Sequence, residues 1–171
     1  MVLSYVDANY WIYWFDERLP EHDFVDRAMR RAIVKRYVYE TGSEFIRAQY
    51  SEAYLGTVLL SFNVWNIGEV IGVFDRAHRQ KRITSEQLDE VMGRFSNETA
   101  RLKKISRMRI ITLSESVLES SWDVVIKHHI YVADALQITS AIEAGCNEFY
   151  TGDEKLHKLA LSSGLNSFYL G

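Results

Sequence analysis

The sequence predicts an α/β sandwich around a mostly parallel sheet, and two features predict it. Short β-favouring apolar runs alternate with longer segments of helical periodicity along the chain. The runs are nearly continuous in apolar character rather than alternating, as expected of strands buried on both faces.

Val2-Leu3-Ser4-Tyr5-Val6, stopped by Asp7-Ala8-Asn9, is the first strand. Tyr10 to Phe15 continue as an aromatic helical turn or two, and a helix is expected from Glu21 to Tyr39. There Phe24, Val25, Ala28, Met29, Ala32 and Ile33 fill one arc, and Arg27, Arg30, Arg31 and Lys35 fill the other. Ser43 to Leu55 fits a short helix. Thr57-Val58-Leu59-Leu60-Ser61 is a second strand, and Ser61 or Asn63 can cap a helix running to Gln80. Its apolar stripe is Val64, Ile67, Val70, Ile71 and Phe74. Arg76, His78, Arg79, Lys81 and Arg82 suit the negative C-terminal end of that helix and need no other role. Thr84-Ser85-Glu86-Gln87 is a capped start for a helix to Lys104. Met108 to Leu113 supplies a third strand, after which Ser114 caps a helix to His128. The helix from Tyr131 follows, closed by Gly145 in a position that favours a left-handed residue. Glu148-Phe149-Tyr150-Thr151 is a fourth strand, Glu154 to Ser163 a helix closed by Gly164, and Asn166 to Leu170 a last strand.

At 171 residues, with 47% hydrophobic and 25% charged content, the chain fits one ordinary globular domain spanning 1–171. Its one cysteine, Cys146, excludes an internal disulfide and fits a reducing, cytoplasmic setting; it reads as a small buried residue. Asp7 and Asp16 interrupt the N-terminal apolar run, which argues against a signal peptide. No stretch approaches the ~18 uncharged apolar residues of a membrane span. The formal net charge of −3 means that any nucleic-acid contact must come from local basic patches. One such patch is Arg27, Arg30, Arg31 and Lys35; another is Arg101, Lys103, Lys104, Arg107 and Arg109. Either arc is also what a solvated helix face looks like.

Ligands of such sheets sit beyond the carboxyl ends of the strands, and acids cluster there. Asp7 follows the first strand directly, Asp153 follows the fourth, and Asp134 opens a helix whose buried face it shares with Ile138 and Ala141, bordered by Ala135 and Ile142. Glu69 lies off its helix's apolar stripe, yet Trp65, Gly68, Gly72 and Val73 leave that surface bare of other charge. Asp7, Asp134 and Asp153 each have a local alternative as helix caps. Together, the four carboxylates would repel and raise one another's pKa unless a hard divalent cation joined them. All-oxygen ligation favours Mg²⁺ or Mn²⁺ over zinc. Competing sites are weak: His128 and His129 point about 100° apart on a helix. No Gly-rich phosphate loop, nucleophile elbow or paired-cysteine motif is present.

Val6-Asp7-Ala8-Asn9 after a strand resembles the opening motif of PIN-domain ribonucleases. So do Ser61 and Glu69 after the second strand, Ala133-Asp134-Ala135-Leu136 heading a helix, and Tyr150-Thr151-Gly152-Asp153 before the last helix. Many small members are VapC-type toxins paired with an antitoxin. The resemblance implies a three-layer α/β/α fold, often as a homodimer, and metal-dependent cleavage of single-stranded RNA. Carried over, it makes Asp7, Glu69 and Asp134 metal ligands and has Asp153 complete the cluster, directly or through water. It makes Thr151 the holder of a metal-bound water and Asn9 the residue that steadies the first acid. The basic arc Arg27, Arg30, Arg31 and Lys35, or the cluster at Arg101 to Arg109, would grip the RNA backbone. Two departures stand out: the segment Asp16 to Gly56 is longer than in compact PIN toxins, and Gly152 replaces a larger polar residue. Alternatives are an RNA-processing or RNA-decay nuclease without an antitoxin, or a non-catalytic metal- or RNA-binding module. A phosphatase of the Asp-x-Asp type fits less well, because position 9 is Asn.

Overall fold

The computed structural model describes residues 1–8, 10–11, 46 and 48–170. The helix expected over Glu21–Tyr39, Asn9, and the basic arc of Arg27, Arg30, Arg31 and Lys35 lie outside the described residues.

The strands are β1 (Val2–Val6), β2 (Val58–Asn63), β3 (Met108–Ile111), β4 (Glu148–Thr151) and β5 (Asn166–Tyr169). The helices are α1 (48–55), α2 (Val64–Arg79), α3 (Ser85–Lys104), α4 (Glu115–His128), α5 (Val132–Glu143) and α6 (Glu154–Ser162). The sheet has the order β3-β2-β1-β4-β5, and every neighbouring pair is parallel. The α/β fold expected from the sequence is the one observed. Chain progression goes outward from β1 through β2 to β3 on one side and from β4 to β5 on the other. The crevice of such a switch point lies beyond the carboxyl ends of β1 and β4.

The pleat sorts side chains between two cores. Leu60 and Phe62 enter one, with Trp11, Val70, Phe74, Phe95 and Leu102; Trp11 meets Phe62 edge-on at 5.7 Å between centroids. Tyr5 enters the other, stacked on Phe149 at 5.1 Å, with Ile138, Ala141, Leu156 and Ala160. Cys146 is buried there as expected.

Three helix starts follow their caps. Thr84 and Gln87 make the capping box of α3, Ser114 caps α4, and Asn63, not Ser61, caps α2. Gly145 and Gly164 take the left-handed backbone that closes α5 and α6, with φ of 72° and 87°. The α2 stripe is rotated from the expected one: Val64 and Ile71 are exposed, and the buried arc is Asn66, Val70, Phe74 and Ala77. Asn66 escaped the apolar reading because its burial is polar. The capping box exchanges Asn66 N–H to Asn63 Oδ1 and Asn63 N–H to Asn66 Oδ1, each 3.1 Å.

Asn63 also donates from Nδ2 to Leu136 O at 3.3 Å and Ser140 Oγ at 3.0 Å, locking β2 to α5. Replacing it by Ala removes a cap and strands buried partners. We expect Asn63→Ala to cost about 2–4 kcal/mol, read from the midpoint of urea unfolding. A loss below about 1 kcal/mol would mean that the junction is not dry.

Candidate active site

A cleft of about 310 Å³ opens at the carboxyl edge of the sheet, lined by Asp7, Ala8, Glu69, Gly72, Val73, Arg76, Asp134, Gln137, Asp153 and Leu156. The contributions follow element geometry. Asp7 and Ala8 come from the end of β1. Glu69, Gly72, Val73 and Arg76 form one face of α2 at i, i+3, i+4 and i+7. Asp134 and Gln137 are an i, i+3 pair on α5; Asp153 and Leu156 are another at the start of α6. The four acids singled out in the sequence are therefore brought to one place.

Asp7 is 2% exposed. Its Oδ1 accepts from Tyr10 N–H at 3.3 Å and its Oδ2 from the hydroxyl of Thr151. Thr151 is fully buried, and its Oγ1 in turn accepts the Asp153 N–H at 3.0 Å. Its hydroxyl thus ties the first acid to the last. Asp153 does cap its helix: Oδ1 accepts from Lys155 N–H at 2.7 Å and Leu156 N–H at 3.0 Å. Asp134 does not cap α5, whose N-cap Tyr131 makes no side-chain bond. That helix is buried at every position from Ala135 to Ala141, while Ile142, expected at the border of its buried face, is 48% exposed.

Glu69 is held by a relay of amides. Tyr5 OH donates to Asn66 Oδ1 at 2.6 Å, and Asn66 Nδ2 donates to Glu69 Oε2 at 3.1 Å. Gln137 Nε2 donates to the same oxygen at 3.3 Å. Sequence reading missed Gln137 and Asn66, although Gln137 is visible as the i+3 neighbour of Asp134.

Burial, then the charge of Asp7 and, more weakly, Asp134, push the Glu69 carboxyl up to about 7. Burial and the charge of Asp153 push Asp134 up to about 6. Neighbouring acids therefore oppose the ionisation of both Glu69 and Asp134.

Oxygen donors of this kind suit a hard divalent cation. Gln137 is 4% exposed, and its Oε1 has no hydrogen-bond partner among the described residues, which leaves a further oxygen at the cleft. Among the described residues, no three His, Cys, Asp or Glu side chains close into a ready cage. Mg²⁺ does not require one, since it commonly keeps several waters and takes one or two carboxylates directly. The residues present therefore fit such an ion.

The second basic cluster does not reach the cleft. Lys103, Lys104 and Arg107 precede β3, at the opposite edge of the sheet, and Arg101 stacks over Tyr54 beside Glu98. Among the described residues, no helix is long and apolar enough to cross a membrane.

A parallel α/β domain with an acidic cleft at its switch point is the class these observations define. The family model of the PIN domain matches residues 4–161, and the chain belongs to that family. Among solved structures it is similar to one described as VapBC2 from Rickettsia felis bound to a DNA fragment from their promoter. That match has 13% identity, a TM-score of 0.56, and 98% coverage of each chain. No curated protein sequence matches.

The raised carboxyls carry a sign. Glu69 keeps its proton in the fold over a pH range where the unfolded chain has released it. The native state then binds more protons, and stability falls as pH rises from the ordinary carboxylate range through about 7. In EDTA, we expect the melting temperature of the wild-type protein to drop between about pH 5 and pH 8. Glu69→Gln should flatten that drop, and an unchanged slope would detach Glu69 from it.

Proposed function

We propose that the protein is a divalent-metal-dependent endoribonuclease that cleaves single-stranded RNA, the toxin of a toxin–antitoxin pair. The observation that carries this reading is the convergence of Asp7, Glu69, Asp134 and Asp153 on one cleft, with burial and mutual repulsion raising Glu69 and Asp134. PIN domains are generally nucleases, which agrees with a site whose described lining is built around acids.

In this reading Asp7, Glu69 and Asp134 hold Mg²⁺ or Mn²⁺, and Asp153 completes the set directly or through water. When bound, the ion supplies Lewis-acid stabilisation of phosphate charge and lowers the pKa of the attacking water. The chain's own groups do the aiming. Thr151 orients Asp7 by donating to it, while Asn66 and Gln137 fix the Glu69 carboxylate by donating to one of its oxygens. Asn9 steadies Asp7, and Arg27, Arg30, Arg31 and Lys35 grip the RNA backbone, by the resemblance alone.

A small antitoxin is the expected partner, as in the toxin–antitoxin systems of which VapC-type proteins form part. For a homodimer, Leu118, Trp122 and Ile126 offer an apolar ridge, exposed and four residues apart along α4. Retention of function in a reducing, cytoplasmic setting suits the unpaired Cys146.

Purified protein should cut single-stranded RNA with Mg²⁺ or Mn²⁺ and stop on adding EDTA. Asp7→Asn and Asp134→Asn should each lose activity by about 100-fold or more, together with the thermal stabilisation that Mn²⁺ confers. Cleavage that persists in both variants would place the chemistry elsewhere, and metal binding without turnover would leave a binding module. Thr151→Val should fold yet lose about 10–100-fold in activity, the usual effect of removing an outer partner of a metal ligand; kinetics on the purified variant check this.

A further inference from the structure

We propose that Arg76 positions the substrate by gripping a backbone phosphate beside the reacting one, a role that rests on the nuclease reading above. On α2, Glu69, Gly72, Val73 and Arg76 make one continuous strip of the cleft wall. Arg76 stands about two turns from Glu69 on the same face, roughly 10 Å along the axis. The wall between them carries no charge and is open at Gly72, where an added side chain would meet nothing within 4 Å. A ribose–phosphate backbone laid along α2 would have a carboxylate at one end of this wall and a guanidinium at the other.

The distribution of charge points the same way. Arg76 is the only basic residue among the described ones that line this cleft, against four carboxylates. The other basic residues of α2 are already engaged: Arg79 Nε bonds Asp75 Oδ2 at 2.8 Å, and His78 Nε2 lies 3.2 Å from Ser85 Oγ. Arg76 is exposed and takes part in none of the ion pairs formed among the described residues. Its position in the last turn of α2 accounts for a positive charge there, as it does for Arg79. It does not account for a guanidinium on the cleft wall. A planar fork left to water beside a cation-binding site is suited to bidentate capture of phosphate.

The test compares the wild-type protein with Arg76→Ala, Arg76→Lys and Arg79→Ala. Cleavage kinetics are measured with Mn²⁺. Binding of a labelled single-stranded oligoribonucleotide is measured by anisotropy, with Ca²⁺ in place of Mn²⁺ to slow turnover. Arg76→Ala should raise KM and Kd about tenfold with kcat little changed, the mark of a contact made equally before and during reaction. It should also lower the slope of log Kd against log salt by about 0.7, one phosphate contact on a single strand. Arg76→Lys should restore the slope but only part of the affinity. Arg79→Ala removes the same charge from the same turn but off the cleft, and should stay near wild type. An unchanged Mn²⁺-induced rise in melting temperature in Arg76→Ala shows that fold and acids are intact.

Equal weakening by Arg76→Ala and Arg79→Ala, or weakening by neither, overturns the assignment. A wild-type protein that binds the oligonucleotide without cutting it strikes the nuclease reading instead, with the role of Arg76 still read from Kd and slope. A wild-type protein that neither binds nor cuts overturns both.

Discussion

Four carboxylates sharing one cleft set the terms for the rest of this molecule. Burial, and then the charge of neighbouring acids, makes Glu69 and Asp134 resist ionising. A chain that only had to fold would do better with apolar residues there, since an uncompensated buried charge is costly. The arrangement becomes favourable when something positive enters. The local fold is therefore stable in spite of its site, and the surrounding structure must supply the difference.

It does so through polar groups as well as apolar ones. Asn63 and Asn66 are fully buried and close the start of α2, and from there one relay runs to Tyr5 and another to Leu136 and Ser140 on α5. The junction ties β2 and α2 to β1 and α5. Every amide in it that reaches Glu69 donates to the carboxylate, which holds its orientation without neutralising it. Thr151 plays the equivalent part between Asp7 and Asp153. Side chains whose rotamers are locked in this way keep like charges from swinging apart, the reorganisation that repulsion would otherwise favour.

Parallel pairing and small residues make the convergence possible. With every strand running the same way, each strand end delivers its acid or its helix to one edge. Ala133, Ala135, Ser140 and Ala141 let α5 lie buried against β2 and its neighbours, which carries Asp134 to the cleft without a cap bond of its own. Larger side chains at those positions would force the helix outward and take its acid with it.

The sequence by itself determined the strands, most helix caps and the identity of the acids. These follow from local chemistry: a β-favouring run, a Ser or Thr before a helix, an Asp after a strand. On α5 periodicity marked Ile138 and Ala141 as buried but misplaced Ile142 and passed over the burial of Gln137, Thr139 and Ser140, and on α2 it mistook the exposed Val64 and Ile71 for core and passed over Asn66. Which polar groups are buried, that Thr151 donates to Asp7, that Gln137 meets Glu69, and that Arg76 faces the acids while the Arg101–Arg109 cluster does not were settled only by tertiary structure. Each is a pairing between groups far apart in the chain or a choice of side around a helix. Hydrophobic pattern constrains such choices weakly, because a polar side chain is equally at home in water and in a satisfied network.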